Sequence, residues 1–395
     1  MNTKELIHIA DSRLLKVTNR PETVMSNGHG MYLTDLAGNE YLDFIGGWAV
    51  NCIGHSPKII QDVLTEQSGT LINASPSFYN VPMLEYAELL IDNCCLDRVF
   101  FASTGAEANE GAIKLARKYG QLHKNGASEI ITTHNGFHGR TLAMMSATGK
   151  AHWEDLFEPK VQGFKKAIFN DYDSICELVN EQTCGIMIEL IQGEGGVNVA
   201  DTDYVRKLRE LCDAKGILLI FDEIQTGFGR TGKLFCYEHY NIEPDILTLG
   251  KGIGGGFPIS ALLAKEKLNI FDPGDQGGTY TAQPLGMAVG LAVLKKLLED
   301  KIVENCSRMG ALLKETLLGL SQQYEIDNIR GKGLLLAFNL TRGNAANFAN
   351  KCMQDGLLIN SPREASIRLM PPLIVKEAEI EKFRVLLKNN LSEKE

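Results

Sequence analysis

The chain has 395 residues, of which 44% are hydrophobic, so it is long enough for roughly two or three domains around a large core. Its net charge of −9, with no Lys/Arg-rich face apparent, argues against nucleic acid as the main partner. No apolar run reaches the roughly 18 residues that a membrane span needs, and the N-terminus lacks the apolar core of a signal peptide.

The nine cysteines are scattered along the chain, with an odd total and no Cys-x-x-Cys pair. This usage is typical of a reducing compartment, where thiols serve as small core residues. The sequence therefore predicts a cytoplasmic protein. The histidines at positions 55, 134 and 138 lie in predicted loops, and their spacing fits no metal site, so we expect no metal.

The first predicted elements are a hairpin at residues 31–44 and helical stretches between residues 57 and 93. Apolar, strand-like runs then alternate with helical stretches such as 106–119 and 203–215. The predicted strands are 98–102, 129–133, 167–169, 185–191, 217–221 and 246–249. This alternation predicts an α/β fold in which a mostly parallel central sheet is flanked by helices.

The last quarter of the chain changes character. Residues 285–298 are apolar enough for a buried connecting helix, and short strands near 333–338 and 366–369 follow among helices. We therefore expect a large domain at residues 51–283 and a connecting helix with a smaller α+β domain at residues 284–395. Residues 1–50 are expected to form an N-terminal segment that packs with the small domain.

Polar and glycine-rich clusters follow several predicted strands, at the edge where ligands bind in such sheets. Residues 103–106, Ser-Thr-Gly-Ala, open a helix, and small residues at a helix N-terminus expose backbone N–H groups that suit a phosphate. Asp222 ends one wholly apolar strand, and Lys251 ends another among glycines.

Each of these features alone is more typical of a helix cap, an ion pair or a loop lysine. Together they fit pyridoxal phosphate, whose ring nitrogen needs an anion and whose aldehyde reacts with a lysine.

Longer motifs extend this pattern over nearly the whole chain. In chain order they are Ser-Thr-Gly-Ala-Glu-Ala-Asn-Glu (103–110), Phe-His-Gly-Arg-Thr (137–141), Ile-Gln-Gly-Glu-Gly-Gly-Val (191–197), Asp-Glu-Ile-Gln-Thr-Gly-Phe-Gly-Arg-Thr-Gly (222–232), Pro-Asp-Ile-Leu-Thr-Leu-Gly-Lys-Gly-Ile-Gly-Gly-Gly-Phe-Pro (244–258) and Arg-Leu-Met-Pro-Pro-Leu (368–373). In these motifs and their order the chain resembles the class III aminotransferases, which are pyridoxal-phosphate-dependent enzymes of fold type I.

The resemblance implies roles for the residues that match the family's cofactor site. Lys251 would bind the cofactor's aldehyde covalently and shuttle the substrate proton, and Asp222 would keep the pyridine nitrogen protonated. Phe137 would stack on the ring, and Gln225 would bond its hydroxyl. The phosphate would be held by the backbone of Gly105 and Ala106, and by Thr279 from the partner subunit of a homodimer.

The resemblance also implies the reaction, which is transfer of the terminal amino group of N-acetylornithine, or a close analogue, to 2-oxoglutarate in arginine biosynthesis. Arg140 would bind the substrate's α-carboxylate. Arg368 would bind a carboxylate of the acceptor, and Glu194 would shield that arginine while the donor is bound.

The amine donor is left open by one departure from the family's pattern. Gly278 stands where the family has a serine that is associated with acetylornithine, so ornithine, succinylornithine and 4-aminobutyrate are alternative donors. From a different class, a non-catalytic binding protein on the same fold is the alternative, although intact Lys251 and Asp222 argue against it.

Overall fold

A computed structural model of the protein describes residues 1–392. Its strands are β1 (Met25–His29), β2 (Tyr32–Asp35), β3 (Glu40–Asp43), β4 (Arg98–Ala102), β5 (Glu129–Thr133), β6 (Phe164–Ala167), β7 (Thr183–Ile188), β8 (Ile191–Gln192), β9 (Asn198–Val199), β10 (Leu218–Asp222), β11 (Ile246–Leu249), β12 (Ser260–Ala264), β13 (Ile326–Lys332), β14 (Leu335–Leu340), β15 (Leu357–Leu358) and β16 (Ser366–Leu369).

Helices cover these strands, and none that the structure describes is long and apolar enough to cross a membrane. They are α1 (Thr3–Arg13), the short turn α2 (Gly46–Ala49), α3 (Lys58–Thr70), α4 (Val81–Asp92), α5 (Gly105–His123), α6 (Leu142–Ala147), α7 (Tyr172–Leu178), α8 (Thr202–Lys215), α9 (Pro284–Glu299), α10 (Ile302–Ser321), α11 (Ala345–Gln354) and α12 (Glu377–Ser392).

The largest sheet in the described residues has seven strands in the order β4-β12-β11-β10-β7-β5-β6. The pairs from β11 to β6 are parallel, and β12 runs antiparallel to both of its neighbours. Every residue of β7, β10 and β11 is buried, as expected for parallel strands covered by helices on both faces. The predicted α/β fold with a mostly parallel sheet is confirmed.

Strand β12 was not predicted from the sequence. Its residues, Ser-Ala-Leu-Leu-Ala, are weak strand formers that lack β-branched and aromatic side chains. The strand exists because it fills the gap between β11 and β4 and hydrogen-bonds to both. Tertiary pairing therefore decides its conformation.

Two predicted strands lie elsewhere than expected. The strand placed at 167–169 is β6, at Phe164–Ala167, and the run 185–191 is divided between β7 and β8. Strand β6 contains two lysines, which made it hard to recognise from the sequence. In the structure Lys165 pairs with Glu129 at 2.8 Å, and the Lys166 amine donates to the Ser146 carbonyl at 3.1 Å. Because both amines have partners, the two lysines are compatible with a strand at the edge of the sheet.

One of the smaller sheets, which contains β1, β2, β3 and β15, joins the two ends of the chain. The predicted hairpin at 31–44 is confirmed as β2 and β3, although β1, which extends it, was missed. Strand β3 also pairs in parallel with β15, placing Leu42 opposite Leu357, while β13, β14 and β16 form an antiparallel sheet. This pairing supports the packing of residues 1–50 with the C-terminal part, and the domain boundaries stay a prediction.

The contact between α10 and the turn before β14 gives a test of the packing within the C-terminal part of the chain. A side chain at Gly310 would overlap the backbone of Gly333, so Gly310→Ala must push the helix away. We expect a loss of about 1–3 kcal/mol in unfolding free energy, the usual result of overpacking.

Gly319 of the same helix provides the matched control, because an added Cβ there meets nothing within 4 Å. Gly319→Ala should stabilise the protein by up to about 1 kcal/mol, since alanine is the better helix former. Thermal unfolding of both variants checks the pair, and melting temperatures that move in the same direction would contradict the described packing.

Candidate active site

The carboxyl ends of five strands of the large sheet surround a cavity of about 190 Å³. The loops after β4, β5, β7, β10 and β11 supply its lining residues, which are Gly105, Ala106, Phe137, His138, Gly139, Glu189, Glu194, Asp222, Ile224, Gln225 and Lys251. The structure thus brings together the predicted cofactor residues other than Thr279, and adds Glu194 from the predicted substrate residues.

Lys251 opens a short 3₁₀ turn, Lys251–Gly254, after β11. Its φ of +47° lies in the left-handed region, which costs a residue with a side chain about 1–2 kcal/mol. Burial lowers the pKa of its amine, although Glu194 acts in the opposite direction. In residues 1–392 the amine has no hydrogen-bond or ion-pair partner, so it is available as a nucleophile.

Asp222 is a buried carboxylate, 4% exposed, that is held on both oxygens. Its Oδ2 accepts hydrogen bonds from Asn109 Nδ2 and His138 Nδ1, each at 2.8 Å, and Oδ1 accepts from the Ile224 N–H at 3.1 Å. The Thr248 hydroxyl in turn donates to Asn109 Oδ1 at 2.7 Å. Because Oδ1 has one protein donor, it keeps a free lone pair for a ligand.

His138 and Asn109 are functional residues that the sequence reasoning missed. His138 is 2% exposed, and its Nε2 has no partner among the described residues. Burial lowers the pKa of His138, but the hydrogen bond and charge of Asp222 outweigh it, and the net pKa is raised. Asn109 had a recognisable signal, because helical periodicity puts this polar residue on the buried face of α5 with Ala112 and Ile113.

Glu189 ties the loop after β5 to the end of β7. Its Oε1 accepts from the Phe137 N–H at 2.8 Å, and its Oε2 accepts from the Gly193 N–H at 3.2 Å. Burial raises the pKa of this carboxyl to about 7, although His138 lowers it. The first hydrogen bond fixes the backbone of Phe137, whose ring lies 5.9 Å from that of Trp153, and the second fixes the backbone of Gly193.

The N-terminus of α5 offers a site for an anion. Thr104 and Glu107 form a capping box, with Glu107 Oε2 accepting from the Thr104 N–H at 2.7 Å. The N–H groups of Gly105 and Ala106 are left without acceptors in the described residues and lie at the cavity. Glycine is needed at 105, because a Cβ there would lie 2.8 Å from Cδ1 of Ile224.

Arg368 lies in β16, contacts Gln225 and is 1% exposed. Its Nη1 donates to Gln225 Oε1 at 3.2 Å, and its Nη2 lies 2.8 Å from Glu194 Oε1. Asn360 Oδ1 accepts from Nε and Nη2 of Arg368, at 3.0 and 2.7 Å. Burial raises the pKa of Glu194, but Arg368 and Lys251 together lower it to about 2, so a carboxylate occupies the arginine's anion site.

Three of the predicted residues do not line the cavity, namely Arg368, Arg140 and Thr279. Arg140 is exposed, and its guanidinium lies 5.7 Å from the ring centroid of Trp153, with no ion pair in the part of the chain that the structure describes. Thr279 is also exposed, on the loop that precedes α9.

Comparisons with known proteins agree with this arrangement. The family Aminotransferase class-III matches residues 16–391. The chain is 49% identical over 370 residues to acetylornithine aminotransferase 2 of Bordetella pertussis, covering 93% of each chain. It is 49% identical over 385 residues to acetylornithine aminotransferase of Ralstonia nicotianae, covering 96% of each.

Solved structures of similar fold belong to the same kind of enzyme. The ornithine aminotransferase of Toxoplasma gondii has a TM-score of 0.95 at 30% identity, covering 99% of this chain and 95% of that one. The acetylornithine aminotransferase of Elizabethkingia anophelis has a TM-score of 0.88 at 30% identity, covering 99% of each chain.

The pair of His138 and Asp222 can be tested in the protein without ligands. Because Asp222 is the reason that the pKa of His138 is raised, Asp222→Asn leaves burial to dominate, and the pKa of His138 should fall below its ordinary value. The His138–Asp222 pair stabilises the folded protein fully at pH below histidine's ordinary pKa. This stabilisation is lost as pH rises through the raised pKa of His138.

An NMR titration of histidine-labelled protein measures the change directly. His239 is the internal control, because burial lowers its pKa and Asp222 is not among the groups that affect it. An unchanged His138 titration in Asp222→Asn would rule out the carboxylate as the cause.

Proposed function

The chain belongs to the class-III aminotransferases, and from this premise we propose that it transfers the terminal amino group of N-acetylornithine to 2-oxoglutarate. The products would be the semialdehyde and glutamate, in a step of arginine biosynthesis. The observation that carries the proposal is the unbonded amine of the half-buried Lys251 in one cavity with the fixed Asp222 carboxylate. The relatives from Bordetella pertussis and Ralstonia nicotianae, both named acetylornithine aminotransferases, support this donor.

Pyridoxal 5′-phosphate fits the cavity by the chemistry of its groups. Free N–H groups at Gly105 and Ala106 suit a phosphate, the Asp222 carboxylate suits a protonated ring nitrogen, and the Lys251 amine suits an aldehyde. When bound, the cofactor supplies an electron-withdrawing ring that stabilises negative charge on the neighbouring substrate carbon.

The chain's own residues hold and move protons around that ring. Asp222 would keep a proton on the ring nitrogen, and its hydrogen bonds from Asn109 and His138 fix the orientation of the carboxylate. Phe137 would pack on the ring face, and Gln225 would bond the ring hydroxyl. Lys251, with its lowered pKa, takes the proton from the amine-bearing carbon of the substrate.

Carboxylate groups of the substrates would bind at Arg140 and Arg368. We assign Arg140 to the α-carboxylate, since it is exposed beside the cavity and has no ion pair in the described residues. Arg368 would bind a carboxylate of the acceptor after Glu194 has moved away from it. Glu194 would return to Arg368 when the donor is bound.

We also propose a homodimer with composite active sites. Hydrogen bonds from Leu285 to the Ile72 carbonyl and from Asn80 to the Ala282 carbonyl join the chain around residues 72–80 to the Thr279 loop. Large apolar side chains are exposed there, including Ile72 at 56%, Tyr79 at 85% and Tyr280 at 66%. An exposed apolar surface of this kind is typical of an interface, and it would bring Thr279 to the partner's cofactor.

A cytoplasmic location is part of the same proposal. All nine cysteines lie within the described residues, and all are free thiols. Unpaired thiols, mostly buried as small core residues, are typical of a reducing compartment.

The donor assignment is tested with a panel of amines and 2-oxoglutarate, with glutamate formation as the measurement. We expect N-acetylornithine to give the highest kcat/KM, and Lys251→Ala to lose turnover by many orders of magnitude. Ornithine is the second candidate, because Gly278 lacks the family's serine and the Toxoplasma gondii structure is of an ornithine aminotransferase. A higher kcat/KM for ornithine would overturn the proposed donor.

The composite site is tested through Thr279. A hydroxyl bonded to a phosphate dianion contributes roughly 1.5–3 kcal/mol, so Thr279→Ala should weaken cofactor retention about 10- to 100-fold. In a mixed dimer of Thr279→Ala and Lys251→Ala subunits, one site carries both lesions and the other carries neither, so activity should partly return. If the mixture stays inactive despite proven subunit exchange, Thr279 serves its own subunit.

A further inference from the structure

Glu194 lies between two cations that come from distant parts of the chain. Its Oε1 lies 2.8 Å from Arg368 Nη2, and its Oε2 lies 3.6 Å from Lys150 Nζ. The first contact is a direct, short ion pair, whereas the second is slightly longer than a hydrogen bond. Lys150 was not among the residues that the sequence singled out.

Lys150 is held in place without a carboxylate at hydrogen-bond distance. Its ammonium lies 4.9 Å from the ring centroid of Phe137 and 5.1 Å from that of Trp153, and its side chain is 16% exposed. Both distances fall within the range of cation–π attraction. The cation is therefore positioned beside the cavity before any ligand arrives.

The surroundings of Lys150 leave it short of negative charge. Burial lowers its pKa, and the nearby Arg140 and Arg363 lower it further, while Glu194 raises it. Arg363 donates a hydrogen bond to the neutral Asn135 side chain at 2.8 Å. This contact therefore brings no negative charge to the cluster of cations around Lys150. A closer approach of Glu194 to Lys150 would therefore be favourable.

When a ligand carboxylate binds Arg368, Glu194 needs a new cationic partner. Glu194 occupies Arg368 and must leave before a ligand carboxylate can take its place. A displaced carboxylate in a largely buried site is costly unless a cation receives it. Lys150 is the cation already in contact range of the other oxygen of Glu194.

We propose that Lys150 is a specificity-determining residue, which receives Glu194 when a dicarboxylate acceptor binds Arg368. The inference rests on the proposed transamination and deepens it. The movement needed is small, since Glu194 exchanges a contact to Arg368 for one to Lys150 without crossing the cavity. Lys150 thus stabilises the arrangement in which Arg368 accepts a ligand carboxylate, whereas a donor whose one carboxylate binds Arg140 leaves Glu194 on Arg368.

The test compares Lys150→Met with wild-type holoenzyme in two measurements. The first is the dissociation constant of glutarate, a dicarboxylate without a keto group, by calorimetry. The second is the split between the acceptor and donor half-reactions. We expect glutarate binding to weaken about tenfold, and kcat/KM for 2-oxoglutarate to fall about tenfold more than that for the amine donor. Lys150→Arg should restore most of both losses.

A double-mutant cycle with Glu194→Gln separates this role from two others. If Lys150 acts through Glu194, Lys150→Met should have little further effect on glutarate binding in the Glu194→Gln background. An equal loss in both backgrounds would mean that Lys150 contacts the ligand directly, and would overturn the inference. Equal losses in both half-reactions, without rescue by arginine, would assign it a structural role beneath the aromatic rings and would overturn it too.

The wild-type measurements keep the two proposals apart. If wild-type holoenzyme neither binds glutarate nor accepts 2-oxoglutarate, the proposed function fails. If it does both and Lys150→Met matches it, the proposed function stands and the role of Lys150 is wrong.

Discussion

A buried carboxylate has to be hydrogen-bonded, and the architecture around the active site depends on how this requirement is met at Asp222. The donors come from helix α5, through Asn109, and from the loop after β5, through His138. Thr248 of the neighbouring strand fixes Asn109 in turn. One charge therefore locks two strands, a helix and a loop into a single arrangement, and the same helix presents its N-terminus to the cavity.

The charged groups at the cavity have either a partner that a ligand can replace or no partner among the described residues. Arg368 is paired with Glu194, which a ligand carboxylate can replace. Lys150 lies near the other oxygen of the same glutamate. Lys251 is half-buried, and its amine is unbonded within the described residues. Such an arrangement costs stability in the free protein, because each group gains its best partner only when a ligand is present. The site is thus prepared for anionic, amine-bearing molecules before any of them bind.

The chemistry-bearing residues on strands were the most predictable from sequence, because a charged residue that ends an apolar run has few structural explanations. That reasoning placed Lys251 and Asp222 in one cavity, as the structure has them. It missed His138 and Lys150, whose partners lie far away in sequence and become neighbours only through the fold. Strand β12 was missed because pairing overrides its weak propensity, and the role proposed for Thr279 would require a second subunit, which the fold of one chain does not display.

The left-handed backbone of Lys251 has a consequence for the life of the protein in the cell. A glycine at this position would relieve the strain but remove the chemistry, so function is retained here at the expense of stability. Since a ligand that binds only the folded state shifts the folding equilibrium, cofactor bound at this strained residue would offset the loss. Newly made chains that had not met the cofactor would then be the population most open to proteolysis, and cofactor supply would govern how much of the protein accumulates.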